Sequence, residues 1–374
     1  MTYDSYTAAL LLSLLLTACI EPTTPDFQLE GPFYLVEGDI ADRVGLSEVR
    51  VRQSNFRVVE LEFEEVAIAT VIAEERAGAQ VQWQASEDDP GRYLPPADFR
   101  ASAGEEWNIR VTFPDGTEAV SAPEVVPPQS QVQDVRLRFD QEGRFDEARG
   151  RFVPVFRVLL DSSDPADERN FYQWDYRYWE RETVCATCVG GRYRDGVCIP
   201  DNVIDRNRQT FDYLCEGEDG CYREVAGGRF LFASDQAFDG GQLTGNEIGD
   251  IVFTQYGGLL VEGIQYGLTA EAFAYGRTVN NLVEGNSGLN ATIPAALHGN
   301  LANVNPDGPD VLGYVRAVSV ASDRRYIFRD AATGEPVGRD RPINLEPSVG
   351  PFVPPLAPCT GNGRAPVRPV GWPE

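Results

Sequence analysis

The residues with the most chemical potential are Cys185, Cys188, Cys198, Cys215, Cys221 and Cys359. Cys185-Ala-Thr-Cys188 has the spacing of a zinc knuckle, and Cys215 with Cys221 can complete four thiolate ligands. The same C-x-x-C spacing serves redox proteins, but the βαβ pattern that surrounds it there is absent. Disulfide bonding is the third use, with a connectivity that sequence alone does not choose. The chain has a single histidine, His298. That excludes HExxH zinc chemistry and any site built from several histidines. A Ser-His-Asp triad can only use His298, and no GxSxG elbow supplies its nucleophile. The Ala-Leu-His-Gly-Asn context ahead of a strand points to a structural histidine. No Walker loop or dinucleotide fingerprint occurs. Asn303-x-Asn305-x-Asp307-Gly308 resembles the start of a calcium loop, yet Tyr314 stands at the acidic twelfth position, so a turn is expected. Paired carboxylates are compatible with 58 Asp and Glu, but with so many acids no one pair is singled out. No catalytic residue, metal ligand set or cofactor is assigned.

Cys19 has a different context. Ala8 to Leu16 is apolar except for Ser13 and far shorter than the roughly 20 residues of a membrane-spanning helix. It fits the core of a secretory signal, and Leu16-Thr17-Ala18-Cys19 resembles a lipobox, in which the cysteine is lipidated and becomes the first mature residue. The segment before it departs from the pattern, carrying Asp4 and no Lys or Arg. Export puts the chain in an oxidising compartment, so disulfides are the expected use of the other six cysteines.

Acids outnumber bases 58 to 32, a formal charge of −26, and every base is arginine. Nucleic acid is excluded as a partner, because phosphate binding needs a basic patch. So diffuse an acid excess reads as a solvated surface. With 42% hydrophobic residues the chain can build real cores, and 36 Gly with 26 Pro imply many turns.

The elements that must position these residues are mostly strands. After a signal over 1–18 and a tether over 19–26, period-two alternation runs through Val49/Val51, Leu61/Phe63, Val81/Trp83/Ala85 and Trp107/Ile109/Val111/Phe113. Pro114-Asp115-Gly116 is a turn, and Thr117 to Ala122 is the returning strand. Short strands at this spacing predict an immunoglobulin-like β-sandwich over 27–122. A Pro-rich linker follows at 123–131, and then a second β-rich domain over 132–330. In it Tyr172, Trp174, Tyr176 and Tyr178 fall on one strand face and are assigned to the core. Residues 185–221 read as a cysteine-stapled insertion poor in apolar side chains. One amphipathic helix is expected over 269–284, capped by Thr269, with Ala272, Tyr275, Val279 and Leu282 on one face. Strands Val311 to Val318 and Arg325 to Phe328 precede a Pro-rich tail over 331–374, pinned by Cys359.

From Val261 onward the chain resembles DUF4249, a family of bacterial outer-membrane lipoproteins of unknown function. The residues that carry the resemblance are Val261-Glu262, Gln265-Tyr266, Leu268-Thr269-Ala270-Glu271-Ala272, Gly299-Asn300, Asn303-Val304-Asn305, Val311-Leu312-Gly313-Tyr314, Ser319-Val320 and Arg325. Phe33 to Val36 beside Glu37-Gly38, the Phe113-to-Gly116 hairpin and the Cys221-Tyr222 pair extend it. The cysteine insertion is larger than the family leads one to expect. The resemblance implies an accessory or ligand-binding lipoprotein that works with a TonB-dependent receptor, held in membrane lipid through Cys19. A structural or adhesive envelope role and a carboxylate-based hydrolase are the alternatives.

Overall fold

The computed structural model describes residues 32–373, leaving out 58–59, 167, 218, 229, 238–239, 286–296, 298 and 339–340. Cys19, the signal segment and His298 therefore lie outside the described residues.

The chain is mainly β, as its alternation predicts. β1 (Tyr34–Ala41), β2 (Glu48–Arg57) and β3 (Glu60–Glu65) pair in order. Facing them are β4 (Thr70–Glu75), β5 (Gln80–Ala85), β7 (Glu106–Thr112) and β8 (Glu118–Ser121), with β6 (Arg92–Leu94) bridging β2 and β5 and β9 (Glu124–Val125) on β7. Trp107, Ile109 and Val111 point inward from β7 against Val36, Val49, Val51, Val71 and Trp83. A fully buried side chain of this size contributes about 1.5–3 kcal/mol, so the alternation alone commits each strand to one face. The turn after β7 forms where Pro114-Asp115-Gly116 predicts it. The Asp115 carboxylate accepts from Thr117 N at 2.9 Å, and Gly116 takes φ +85°.

The second unit is also two packed sheets. β10 (Gln131–Asp146), β11 (Arg151–Ser163) and β19 (Gln242–Val252) form one. The other is built on β12 (Phe171–Glu182), flanked by β17 (Cys221–Ala226) and β18 (Leu231–Ser234) on one side and by β20 (Gly258–Leu268) and β23 (Val315–Phe328) on the other. Tyr172, Trp174 and Tyr176 fill the space between the sheets with Val135, Leu160 and Ile248.

Residues 185–221 are more structured than their composition implies. β13 (Val184–Val189) pairs with β16 (Thr210–Leu214), and β14 (Gly191–Arg194) with β15 (Val197–Pro200). Between them lies a short helix absent from the sequence reading, α1 (Asn202–Arg206), whose cap Asp201 accepts from Val203 N at 2.9 Å. Tyr193, Ile204, Phe211 and Tyr213 make a small core closed by Ala357 of the tail.

The expected helix is α2 (Ala270–Gly285), and Thr269 Oγ1 accepts from Ala272 N at 3.1 Å. Ala272 is buried on its inner face, together with Phe273, which the periodicity did not pick out.

Hydrogen bonding does not part at 123–131. β21 (Leu301–Asn303) pairs with β8, and β22 (Val311–Leu312) runs parallel to β1. Where two strands were expected over 311–328, β23 runs unbroken from Val315: residues 315–318 pair with β1, and residues 319–328 pair with β20. One strand thus belongs to both sandwiches and couples them through the backbone.

Candidate functional site

The six cysteines close three disulfides, Cys185–Cys215, Cys188–Cys198 and Cys221–Cys359. The C-x-x-C pair therefore does not bond to itself. Its two sulfurs go to different partners, which rules out a C-x-x-C redox disulfide in this state. Cys185, Cys215 and Cys221 bring their sulfurs within 4.8 Å of one another, a ligand-like grouping. Sulfur already in a disulfide has no thiolate to offer zinc, so the group holds no metal as bonded here. In the calcium-like stretch Asn303 Oδ1 accepts from Asn305 N at 2.9 Å, and Asn305 Oδ1 from Asp307 N at 3.1 Å. These side-chain oxygens hold their own backbone in a turn.

The tail builds a groove. Anchored by Cys359 to Cys221, it forms β24 (Arg364–Ala365) on the edge of β17 and then crosses the outer face of β12, β20 and β23. Val370 O accepts from Arg324 Nη1 at 2.7 Å, and Gly371, with φ +97°, passes over Leu260. The Trp372 ring then meets Tyr222 edge-on at 5.0 Å and Tyr326 at 5.1 Å.

Two cavities open beside this segment, sharing Tyr222 and Arg368. The larger, about 550 Å³, is walled by Tyr222, Tyr256, Tyr326, Phe328 and Trp372. The smaller, about 320 Å³, lies over Trp179. Alternation explains why Trp179 lies on this face. On β12 the even-numbered Tyr172, Trp174 and Tyr176 enter the core, and the odd-numbered Arg177, Trp179 and Arg181 take the other face.

Ion pairs hold the floor. Arg177 and Arg324 stand over the Trp179 ring at 5.1 and 4.8 Å, and both also reach Glu262. Burial raises the Glu262 carboxyl, but Arg177, Ser322 and Arg324 together outweigh it and hold it below the usual carboxylate range. Beneath the larger cavity Arg329, 1% exposed, donates to Glu180 at 3.1 Å and to the carbonyls of Tyr256, Gly257 and Gly258 at 3.4, 3.3 and 3.2 Å. One guanidinium thus fixes the loop that forms the cavity floor. A cavity of about 700 Å³ near Glu182 and Arg341 is larger, but its charges face one another: Arg223 pairs with Glu180 and Glu182, and Arg341 with Asp212.

Asp175 lies on the same outer face with no salt-bridge partner among the described residues. It accepts from its neighbour Tyr176 N at 2.7 Å. Burial pushes its carboxyl up to about 6, against the weaker pull of that N–H and of Arg177. A raised carboxylate pKa favours the protonated folded state, so stability falls as pH climbs from about 4 to about 6 and stays lower above that. Asp175→Asn is expected to stabilise the protein at pH 7.5, by at most about 3 kcal/mol, and to change little at pH 4. Thermal melts at the two pH values check this, and an equal effect at both would refute it.

Sequence reasoning did not find the groove. Trp372 and Arg368 stand in a tail without periodicity, and nothing in their spacing links them to Tyr222 or Tyr326.

Fold and groove together define a disulfide-stapled double β-sandwich with an aromatic groove closed by its own C-terminal segment. A family model described as a domain of unknown function, DUF4249, matches residues 20–324, and the chain belongs to that family. No curated protein matches it. The tail that closes the groove lies beyond the matched residues.

Proposed function

We propose that this protein is a lipid-anchored, non-catalytic binding subunit of the outer membrane that works with a TonB-dependent receptor. The observation that carries the binding role is the groove. Its aromatic walls are open on one side and set on a floor fixed by buried ion pairs, the arrangement of a preformed ligand site. The lipobox-like Leu16-Thr17-Ala18-Cys19 supports the anchor, and the family match starts one residue after that cysteine. No helix among the described residues is long and apolar enough to cross a membrane. Tethering raises the effective concentration of a membrane partner, so a modest interface suffices. The contact should combine apolar or aromatic surface with a polar rim, since diffuse negative charge gives little specificity.

The test is a gene deletion complemented with the wild type or with Cys19→Ala. Wild type is expected to fractionate with membranes, to crosslink to a receptor, and to restore growth on one nutrient. Cys19→Ala should be found uncut or soluble and should fail to restore growth. Unchanged membrane retention of Cys19→Ala sinks the anchor. A deletion strain that grows like its parent on every nutrient, with no receptor crosslinked, sinks the partnership in favour of a structural role.

A further inference from the structure

Arg181 and Arg368 both line the larger cavity, and neither forms an ion pair with a carboxylate among the described residues. Many arginines of both sandwiches are matched to a carboxylate, so these two bring uncompensated positive charge to one cavity. Asp219 lines the same cavity and pairs with neither. The Arg329 charge beneath the floor is already neutralised by Glu180.

The backbone makes room for these groups. At Gly220, with φ +99°, a Cβ would stand 2.7 Å from Arg181 Nε, so a side chain there would push the guanidinium aside. At Gly258 a Cβ would meet the Tyr326 hydroxyl and, at 2.8 Å, the edge of Trp372. The Tyr222 hydroxyl donates to Asp219 O at 3.0 Å, which fixes that ring. Burial first, and then the nearby Tyr222, push the Tyr326 hydroxyl up, keeping it a neutral donor.

We infer that this cavity binds a small carboxylate ligand with a flat aromatic body, the rings of Tyr222, Tyr326 and Trp372 packing against the body while Arg181 and Arg368 take the carboxylate. Guanidinium groups match carboxylate geometry and form charge-assisted hydrogen bonds that a neutral group does not replace. Aromatic walls reward a flat apolar body over a small hydrated anion such as acetate. A volume of about 550 Å³ suits one such molecule. The inference rests on the binding role proposed above and adds the ligand's class.

The experiment is calorimetric titration of the detergent-solubilised full chain with 2-naphthoate, the neutral 2-naphthylmethanol and acetate. Naphthoate is expected to bind at one site, and the other two about tenfold or more weaker. Arg181→Gln and Arg368→Gln should each weaken naphthoate by about tenfold and leave the alcohol unchanged. Trp372→Ala should weaken both naphthalene probes, with melting temperatures confirming that all three variants fold. Equal binding of the alcohol and naphthoate overturns the anionic class, and so does naphthoate binding that no variant changes. Failure of naphthoate to bind overturns it as well. Receptor crosslinking uses no probe, so a failed titration with intact crosslinking removes the ligand class alone. Loss of crosslinking with intact titration removes the partnership alone.

Discussion

Replacing Arg329 by methionine is expected to destabilise the protein by about 3–5 kcal/mol. The reason is what it leaves behind. Glu180, 3% exposed, would keep only Arg223 as a cation, and the carbonyls of Tyr256, Gly257 and Gly258 would lose a shared donor. Methionine fills much of the volume, so the loss reports charge and hydrogen bonding more than a cavity. Typical domains have only about 5–15 kcal/mol in hand, so the variant is at risk of not folding. Arg329→Lys keeps the charge without the planar fork and should fall between wild type and Arg329→Met. Urea titration measures all three. A loss under about 1 kcal/mol for Arg329→Met would mean that Arg223 and water satisfy Glu180, and the floor of the groove would then need another explanation.

How far the sequence discloses this molecule depends on whether a residue's role is local. Trp107, Ile109 and Val111 announce their strand because burial alternates with a period of two, and Thr269 announces its helix because a cap acts within three residues. The stretch from Ser319 to Arg324, ending in the polar Ser322-Asp323-Arg324, looks like a break between strands. It is continuous sheet because Arg324 reaches Glu262, Arg325 pairs with Asp134, and Asp323 accepts from Val135 N. Those partners lie 60 or more residues away, where no spacing rule reaches. Glu346 makes the same point from the tail. Its side chain is fully buried because Arg192, Arg194 and Tyr213 converge on it, and it is held down to about 2, with the Arg194 hydrogen bond the largest cause. The groove was hidden for this reason: Tyr222, Tyr326 and Trp372 come from three strands and loops that meet only after the tail has crossed the sheet.

Removing the bridge that places the tail should disable the groove and expose a weakness in the neighbouring disulfide. With Cys221→Ser and Cys359→Ser together, a 138-residue loop is no longer closed in the unfolded chain, and a loss of about 2–5 kcal/mol is expected. Naphthoate binding should weaken, because Trp372 follows Cys359 in the tail and is then held by β24, the Ala357 backbone bonds and a few side-chain contacts without a covalent tie. Cys185–Cys215 and Cys188–Cys198 should survive in this double variant. Cys359→Ser alone should behave differently. It leaves a thiol at Cys221, whose sulfur lies 3.5 Å from Cys185 Sγ. Its thiolate can attack that sulfur, forming Cys185–Cys221, breaking Cys185–Cys215 and releasing Cys215 as a thiolate that takes up a proton. Because the thiolate is the nucleophile, exchange should accelerate from pH 7 towards about 8.5, the ordinary thiol pKa. Non-reducing peptide mapping after incubation at the two pH values reads the outcome directly. A single variant that keeps Cys185–Cys215 intact with Cys221 free at both would show that the two bridges are neighbours without being exchange partners.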